Sequence, residues 1–272
     1  MDIKLLGSLS AETGGVSIVP TASKPRQILA LLAVCANQVL PVPTLMEEIW
    51  GADMPRSAPT TLQTYILQLR RRIAAALGPD SPVGSKDVLV TRYGGYLLGI
   101  DPEAVDVHVY DRLVAESRTA ADAGDAAAVA RLCRRALALW RGPALVDVQT
   151  GPTLEVELVR LEESRLGVLE RRIDAELQLG MHSHLLAELR ALTVRHPLHE
   201  GLHAQFMIAL YRSGRQWQAL ETYQALRGRL VDELGVDPSP RLQRLHRTVL
   251  GGDPALDHTG GHRGPALGLF AG

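Results

Sequence analysis

The stretch whose reading decides the fold is PTTLQTYILQLRRRIAAAL, Pro59 to Leu77. Leu62, Ile66, Leu69 and Ile73 recur at spacings of four, three and four, which at about 100° per residue draws one narrow apolar stripe along a helix. Thr60, Thr64, Gln68 and Arg71 fall on the opposite face, flanked by Thr61, Gln63, Arg70 and Arg72. Pro59 and the two threonines suit a helix start, and Gly78-Pro79 a stop. A helix with one buried stripe and a polar face of Thr, Gln and Arg can enter a DNA major groove. There Arg reads guanine edges, Gln reads adenine, and Thr meets phosphates or the thymine methyl. Taken alone, the segment is better explained as an ordinary solvated helix with an arginine run. Its neighbours decide otherwise.

Before it, residues 2–20 read as a short strand meander, with Ile3, Leu5, Leu9, Val16, Ile18 and Pro20 set around a Gly14-Gly15 turn. Lys24-Pro25-Arg26-Gln27 leads into Ile28–Cys35, a run apolar on nearly all sides and therefore a helix for the centre of a domain. Asn37 to Pro43 reads as a loop, Thr44 as the cap of a second helix ending at Trp50-Gly51, and Ala52 to Ala58 as a further loop. After the polar-faced helix, Val88–Arg92 and Tyr96–Ile100 flank Tyr93-Gly94-Gly95 as a β-hairpin. Strands, three helices and a closing hairpin make the winged helix-turn-helix arrangement, in which the third helix occupies the major groove and the hairpin touches neighbouring backbone or minor groove. Arg92 and Tyr93 at the hairpin tip suit that role.

Composition agrees without adding much. A chain of 272 residues with 46% hydrophobic and 22% charged side chains is globular and long enough for two domains. Residues 1–100 carry nine basic against seven acidic side chains, and residues 101–272 carry 20 against 23. The excess in the first part is small, so the clustering of Arg70, Arg71 and Arg72 says more than the total. Cys35 and Cys133 sit in apolar helical patterns and read as small core residues, not as a disulfide. With no leader-like segment and no run long enough to span a membrane, the expected location is the cytoplasm, at the nucleoid.

From Pro102 the chain turns helical and rich in Ala, Leu and Arg, with Val105–His108 as a short joint. Gly180 and Gly214 lie 34 residues apart, and at the same offset Leu177 matches Tyr211, Leu185 matches Ala219, Leu189 matches Tyr223 and Leu192 matches Leu226. That is the tetratricopeptide period of paired helices, and Gly124 with Val129 and Cys133 looks like an earlier copy. Gly142-Pro143 and Gly151-Pro152 punctuate a loop before a long helix from about Leu154 to Leu179. The fold class expected is mainly α with a small β component: a winged helix-turn-helix domain over residues 1–101, an all-α tetratricopeptide-like domain over 102–250, and a flexible tail over 251–272.

One motif points elsewhere. His199-Glu200-Gly201-Leu202-His203 matches the H-E-x-x-H zinc peptidase pattern, with Glu221 as a conceivable third ligand. Gly201 is a poor residue for a catalytic helix, and the repeat period already accounts for the register, so His199 and His203 read as helix residues. His182, His184 and His196 read as surface or interhelix residues. No phosphate-binding glycine loop and no nucleophile elbow occurs, and neither enzyme activity nor any cofactor or metal is expected.

Two groups of segments resemble a known family. KPRQILALLAVCANQVLPVPTLMEEIWG, TTLQTYILQLRRRI and VLVTRYGGYLL are similar to the OmpR-type winged helix of the Streptomyces antibiotic regulatory protein (SARP) family. LCRRALALWRGPAL and the run from Leu198 to His246, with its YRSGRQWQALETYQ and DELGVDPSP strings, resemble the bacterial transcriptional activation domain of the same family. The resemblance implies a transcriptional activator of secondary-metabolite (antibiotic) genes. Such a protein binds tandem direct repeats at promoters, two protomers side by side, and recruits RNA polymerase with its sigma factor. Larger relatives continue into an ATPase and sensor region, which does not follow here. Carried onto this chain, the resemblance implies groove contacts from Thr60, Thr61, Gln63, Thr64, Gln68, Arg70, Arg71 and Arg72, wing contacts from Arg92 and Tyr93, and backbone contacts from Lys24 and Arg26. Arg70 leans toward the buried flank. A competing class is a helical-repeat adaptor whose N-terminal domain binds protein instead of DNA.

Overall fold

Apolar residues alternate with polar ones at the start of the chain, and this part pairs as a small antiparallel sheet. In the computed structural model, which describes residues 1–253 and Leu256, β1 (Asp2–Lys4), β2 (Ser10–Thr13) and β3 (Val16–Ser17) lie in sequence order. Ile3 faces Ala11 in the register and both are fully buried. The turn between β2 and β3 has φ of 58° at Gly14 and 78° at Gly15, a backbone region glycine enters without side-chain penalty. Val16 is half exposed, so of the three apolar residues set after the turn Ile18 and Pro20 are buried and Val16 is not.

Helix α1 (Ser23–Val34) is buried without interruption from Gln27 to Val34, as its all-round apolar run requires. The next stretch is not a plain loop. Leu40 and Pro41 form β4, and α2 (Val42–Trp50) starts immediately after, with Pro41 and not Thr44 at the cap position. Pro43 lies in the first turn, where a missing N–H costs nothing, so the helix opens three residues earlier than a Thr44 cap implies. Helix α3 (Ala58–Leu77) buries Leu62, Ile66, Leu69 and Ile73, packs on α1 and α2, and stops at Gly78 with φ 79°. A short helix α4 (Ser85–Val88) precedes the hairpin of β5 (Leu89–Arg92) and β6 (Gly95–Leu98). The sheet order is β4-β6-β5, with Leu40 opposite Tyr96 and Pro41 opposite Gly95. A side chain at Gly95 would collide with the Leu40 carbonyl, so glycine here serves strand approach, not only the turn.

Residues 105–108, expected to be a joint, are an anchor. Val105 bridges Ile3, and Asp106 opens α5 (Asp106–Asp122) with its carboxylate accepting the Leu5 and Leu6 N–H groups at 2.7 and 3.0 Å. Burial pushes the Asp106 carboxyl up, and those two N–H groups and the Arg141 guanidinium at 3.7 Å pull it back. After α6 (Ala126–Ala138), the loop returns to the same edge: Arg141 N–H donates to Leu6 O, Leu145 N–H to Leu5 O, and Asp147 accepts from Leu9 N–H. Helix α7 (Pro152–Gln178) then begins on Glu48 of α2, whose buried carboxylate accepts the N–H groups of Gly151, Thr153 and Leu154. The division expected after Asp101 follows a change in sequence character, whereas packing draws residues 1–116 and 135–166 into one compact unit.

The second unit takes 117–134 and the described residues from 167 onward. Its helices α8 (His182–Arg195), α9 (Glu200–Arg212), α10 (Gln216–Leu234) and α11 (Pro240–Gly251) pack in succession, with α11 also against α9. Gly124, Gly180 and Gly214 occupy the helix–helix turns with φ of 75°, 77° and 71°, as the repeat requires. Leu185 and Ala219, Leu189 and Tyr223, and Leu192 and Leu226 are all buried, so three of the four matched pairs are core positions, while in the fourth Leu177 is buried and Tyr211 half-buried. Of the expected tail, only Gly251–Asp253 and Leu256 fall among the described residues, and Gly251 closes α11.

Within this unit α7 carries a carboxyl that works against its own charge. Burial pushes the Asp174 carboxyl up to about 7, with Glu170 adding to the rise and the Gln205 amide, at 2.7 Å, and Arg171 opposing it. The folded state therefore holds this proton more tightly than the unfolded chain, and stability falls as pH rises from about 4 to 7. Asp174→Asn should remove that slope and exceed the wild type above pH 7 by roughly 2 kcal/mol, about half the full shift because the side chain keeps some solvent contact. Chemical denaturation at pH 5 and pH 8 checks it; equal slopes in both proteins would show that the carboxyl titrates normally.

Candidate nucleic-acid interface

Helix α3 contains no acidic residue. Thr60, Gln63, Thr64, Leu67, Gln68 and Arg71 are exposed along it, while Thr61, Arg70 and Arg72 are half-buried. The Thr64 hydroxyl donates to the Thr60 carbonyl at 3.1 Å, which leaves its oxygen to accept and its methyl free for apolar contact. The Arg71 guanidinium has no hydrogen-bond or ion-pair partner among the described residues, so its charge and five donors are available to a ligand.

The flanking arginines are committed. Arg70 donates from Nε and Nη2 to the Leu89 carbonyl at 2.9 and 2.7 Å, and from Nη2 to Thr91 Oγ1 at 2.8 Å. These bonds tie the helix to the hairpin and engage the guanidinium expected to reach the groove. Arg72 Nη1 donates to the Val19 carbonyl at 3.3 Å. Gln68, Arg71, Arg72 and Ala75 line a shallow groove with Pro20, Thr21 and Ala22, so the approach to α1 lies beside the α3 face.

At the other side stands the hairpin. Arg92 and Tyr93 are both exposed, and Tyr93 is 106% exposed, a ring that rests on nothing in its own fold. Gly94, with φ 74°, lets the two strands reverse there. The Arg70 bonds to Leu89 and Thr91 set where this tip sits relative to α3. Lys24 and Arg26 are engaged elsewhere: the Lys24 ammonium lies 5.0 Å over the Trp50 ring, and Arg26 donates to the Pro20 carbonyl and pairs with Asp147 at 3.3 Å. The structure thus brings the α3 face and the wing together and turns Lys24 and Arg26 to internal contacts. Leu67, Thr21 and Ala22 were not foreseen. Leu67 is visible in sequence only as an apolar residue outside the 4-3-4 stripe.

The H-E-x-x-H residues are occupied by packing. His199 caps α9, its ring accepting from Leu202 N–H, and Glu200 accepts from the Ser239 N–H and hydroxyl at the start of α11. His203 is buried, and burial pulls its pKa down. No cluster of three metal-ligating side chains occurs among the described residues, and none of their helices is long and apolar enough to cross a membrane.

Comparison with known proteins agrees with this geometry. Residues 17–98 match the model "Transcriptional regulatory protein, C terminal", and residues 105–250 match "Bacterial transcriptional activator domain". The chain is 55% identical over 260 residues to regulatory protein DnrI of Streptomyces peucetius, covering 96% of each. It is 36% identical over 256 residues to transcriptional regulator RedD of Streptomyces coelicolor, covering 94% of this chain and 72% of RedD. Among solved structures, Mycobacterium tuberculosis EmbR in complex with a low-affinity phosphopeptide superposes with TM-score 0.83 at 31% identity, over 94% of this chain and 68% of that one.

Proposed function

The chain belongs to the Streptomyces antibiotic regulatory protein family of transcriptional activators, and we propose that it works by binding tandem direct repeats at promoters of secondary-metabolite genes and recruiting RNA polymerase with its sigma factor. The observation that carries the reading is the acid-free, exposed face of α3, with an unpartnered Arg71 at its middle and an exposed Arg92–Tyr93 tip beside it. Arg71 offers a fork for guanine, Gln63 and Gln68 offer amides for adenine, and Thr60, Thr61 and Thr64 offer hydroxyls and methyls for phosphate or thymine. Arg92 and Tyr93 reach adjacent backbone or minor groove. Arg72 stands by the start of α1, where backbone amides and positive charge favour a phosphate, and Lys24 and Arg26 reach that phosphate by leaving their contacts with Trp50 and Asp147. Arg70 acts through the hairpin.

A direct-repeat site calls for two protomers head to tail about one helical turn apart, unlike the two-fold arrangement a palindrome imposes. The helical domain supplies surface for the polymerase, and the protein acts in the cytoplasm at the nucleoid. The test is fluorescence anisotropy of the full chain with promoter DNA from the neighbouring biosynthetic operon, against a scrambled duplex, over a salt series. Affinity should fall steeply with salt, and the repeat should bind some 10³-fold or more tighter than the scramble. Equal weak binding to both duplexes would instead favour a helical-repeat adaptor whose N-terminal domain binds protein.

A further inference from the structure

On the polar face of α3 one large apolar side chain is exposed. Leu67 is 48% exposed. At about 100° per residue it lies between Gln63 and Arg71, within about 50° of the direction opposite the buried stripe, and toward the side where Arg70 holds the hairpin. Any partner that takes up Arg71 and Gln63 therefore covers Leu67 as well.

What could lie against it is limited by chemistry. The floor of the major groove presents ring nitrogens, carbonyl oxygens and amino groups, each of which loses solvation without compensation when an aliphatic side chain is pressed on it. One apolar group projects there, the C5 methyl of thymine. We propose that Leu67 reads a thymine through that methyl and is a specificity determinant of the interface, with Gln63 and Arg71 reading its neighbours. The proposal rests on the DNA-binding reading given above. It predicts one position in each repeat where thymine is required for its methyl and not for its hydrogen-bonding edge.

The test uses the full chain and a duplex carrying the promoter repeats, with each thymine replaced in turn by deoxyuracil, which removes only the methyl. One replacement per repeat should weaken wild-type binding about 3- to 10-fold, the scale of one buried methyl in a well-packed contact. Leu67→Ala should weaken binding to the all-thymine duplex by a similar factor, keep the wild-type salt slope, and show no further loss at that position. Replacing that thymine by 5-methylcytosine should be tolerated better than replacing it by cytosine. Specific, salt-dependent binding with no uracil effect, or a uracil penalty that persists in Leu67→Ala, would overturn the assignment while leaving the interface standing. Equal binding to the repeat and a scrambled duplex would remove the interface and Leu67's role together. Because the uracil scan on wild type needs no variant, the outcome does not depend on how Leu67→Ala folds.

Discussion

Replacing Glu48 with alanine should cost about 3–5 kcal/mol of stability, although the residue touches no proposed ligand. Its carboxylate is 2% exposed as part of its residue and accepts from Gly151, Thr153 and Leu154 N–H at 2.7, 2.8 and 3.2 Å. The Gln27 amide donates to the same side chain at 3.1 Å and to the Glu48 carbonyl at 2.6 Å. A carboxylate at a helix N-terminus meets both the free N–H groups and the positive end of the α7 dipole, which is how an anion is held there without a cation. Alanine leaves these donors buried and unpaired, and this outweighs anything its helix propensity adds to α2. Glu48→Gln keeps an acceptor oxygen and should lose less than half as much. Gly151→Ala should behave like Glu48→Ala, because its Cβ would collide with the Glu48 backbone carbonyl. Denaturation of the full chain measures all three, and a Glu48→Ala midpoint within about 2 °C of wild type would mean the cap contributes little.

For the proposed interface, the contrast between adjacent arginines is the larger effect. Arg71→Ala should lower affinity for the repeat about 10- to 100-fold, reduce discrimination at one base pair, and leave the melting temperature unchanged. Arg70→Ala removes the three contacts to Leu89 and Thr91, so it should lower the melting temperature and lose affinity through a displaced wing. Its loss should be spread over all sequences and not confined to one base pair. Melting curves together with anisotropy on single-base variants of the repeat separate the two. If Arg71→Ala binds the repeat as wild type does, Arg71 is a solvated surface residue.

The repeat glycines illustrate how much was legible. Gly180 and Gly214 could be placed at helix turns from spacing alone, since the left-handed conformation and the buried positions five, nine and twelve residues later are local demands of a helix pair. The α3 stripe was legible for the same reason, because a period of 3.6 residues is written into neighbouring positions. Thr44 misled because a good capping residue competes with a proline that starts the helix earlier, and only the pairing of Leu40 with Tyr96 selects between them.

What the chain by itself determined is therefore the set of elements: the buried helix, the polar-faced helix, the Gly-Gly hairpin and the 34-residue repeat, together with the family they resemble. Tertiary structure alone decided which side chains of the polar face remain free. Three consecutive arginines look equivalent as letters, yet Arg70 is taken by a carbonyl 19 residues away, Arg72 by one 53 residues away, and Arg71 by none among the described residues. It also decided that Asp106 and Glu48 bind residues about 100 positions distant, so that helices after Pro102 complete the first compact unit. The physical reason is common to all of them: local periodicity reports which way a residue faces, whereas a hydrogen-bond partner is chosen by whatever backbone the folded chain brings within about 3 Å.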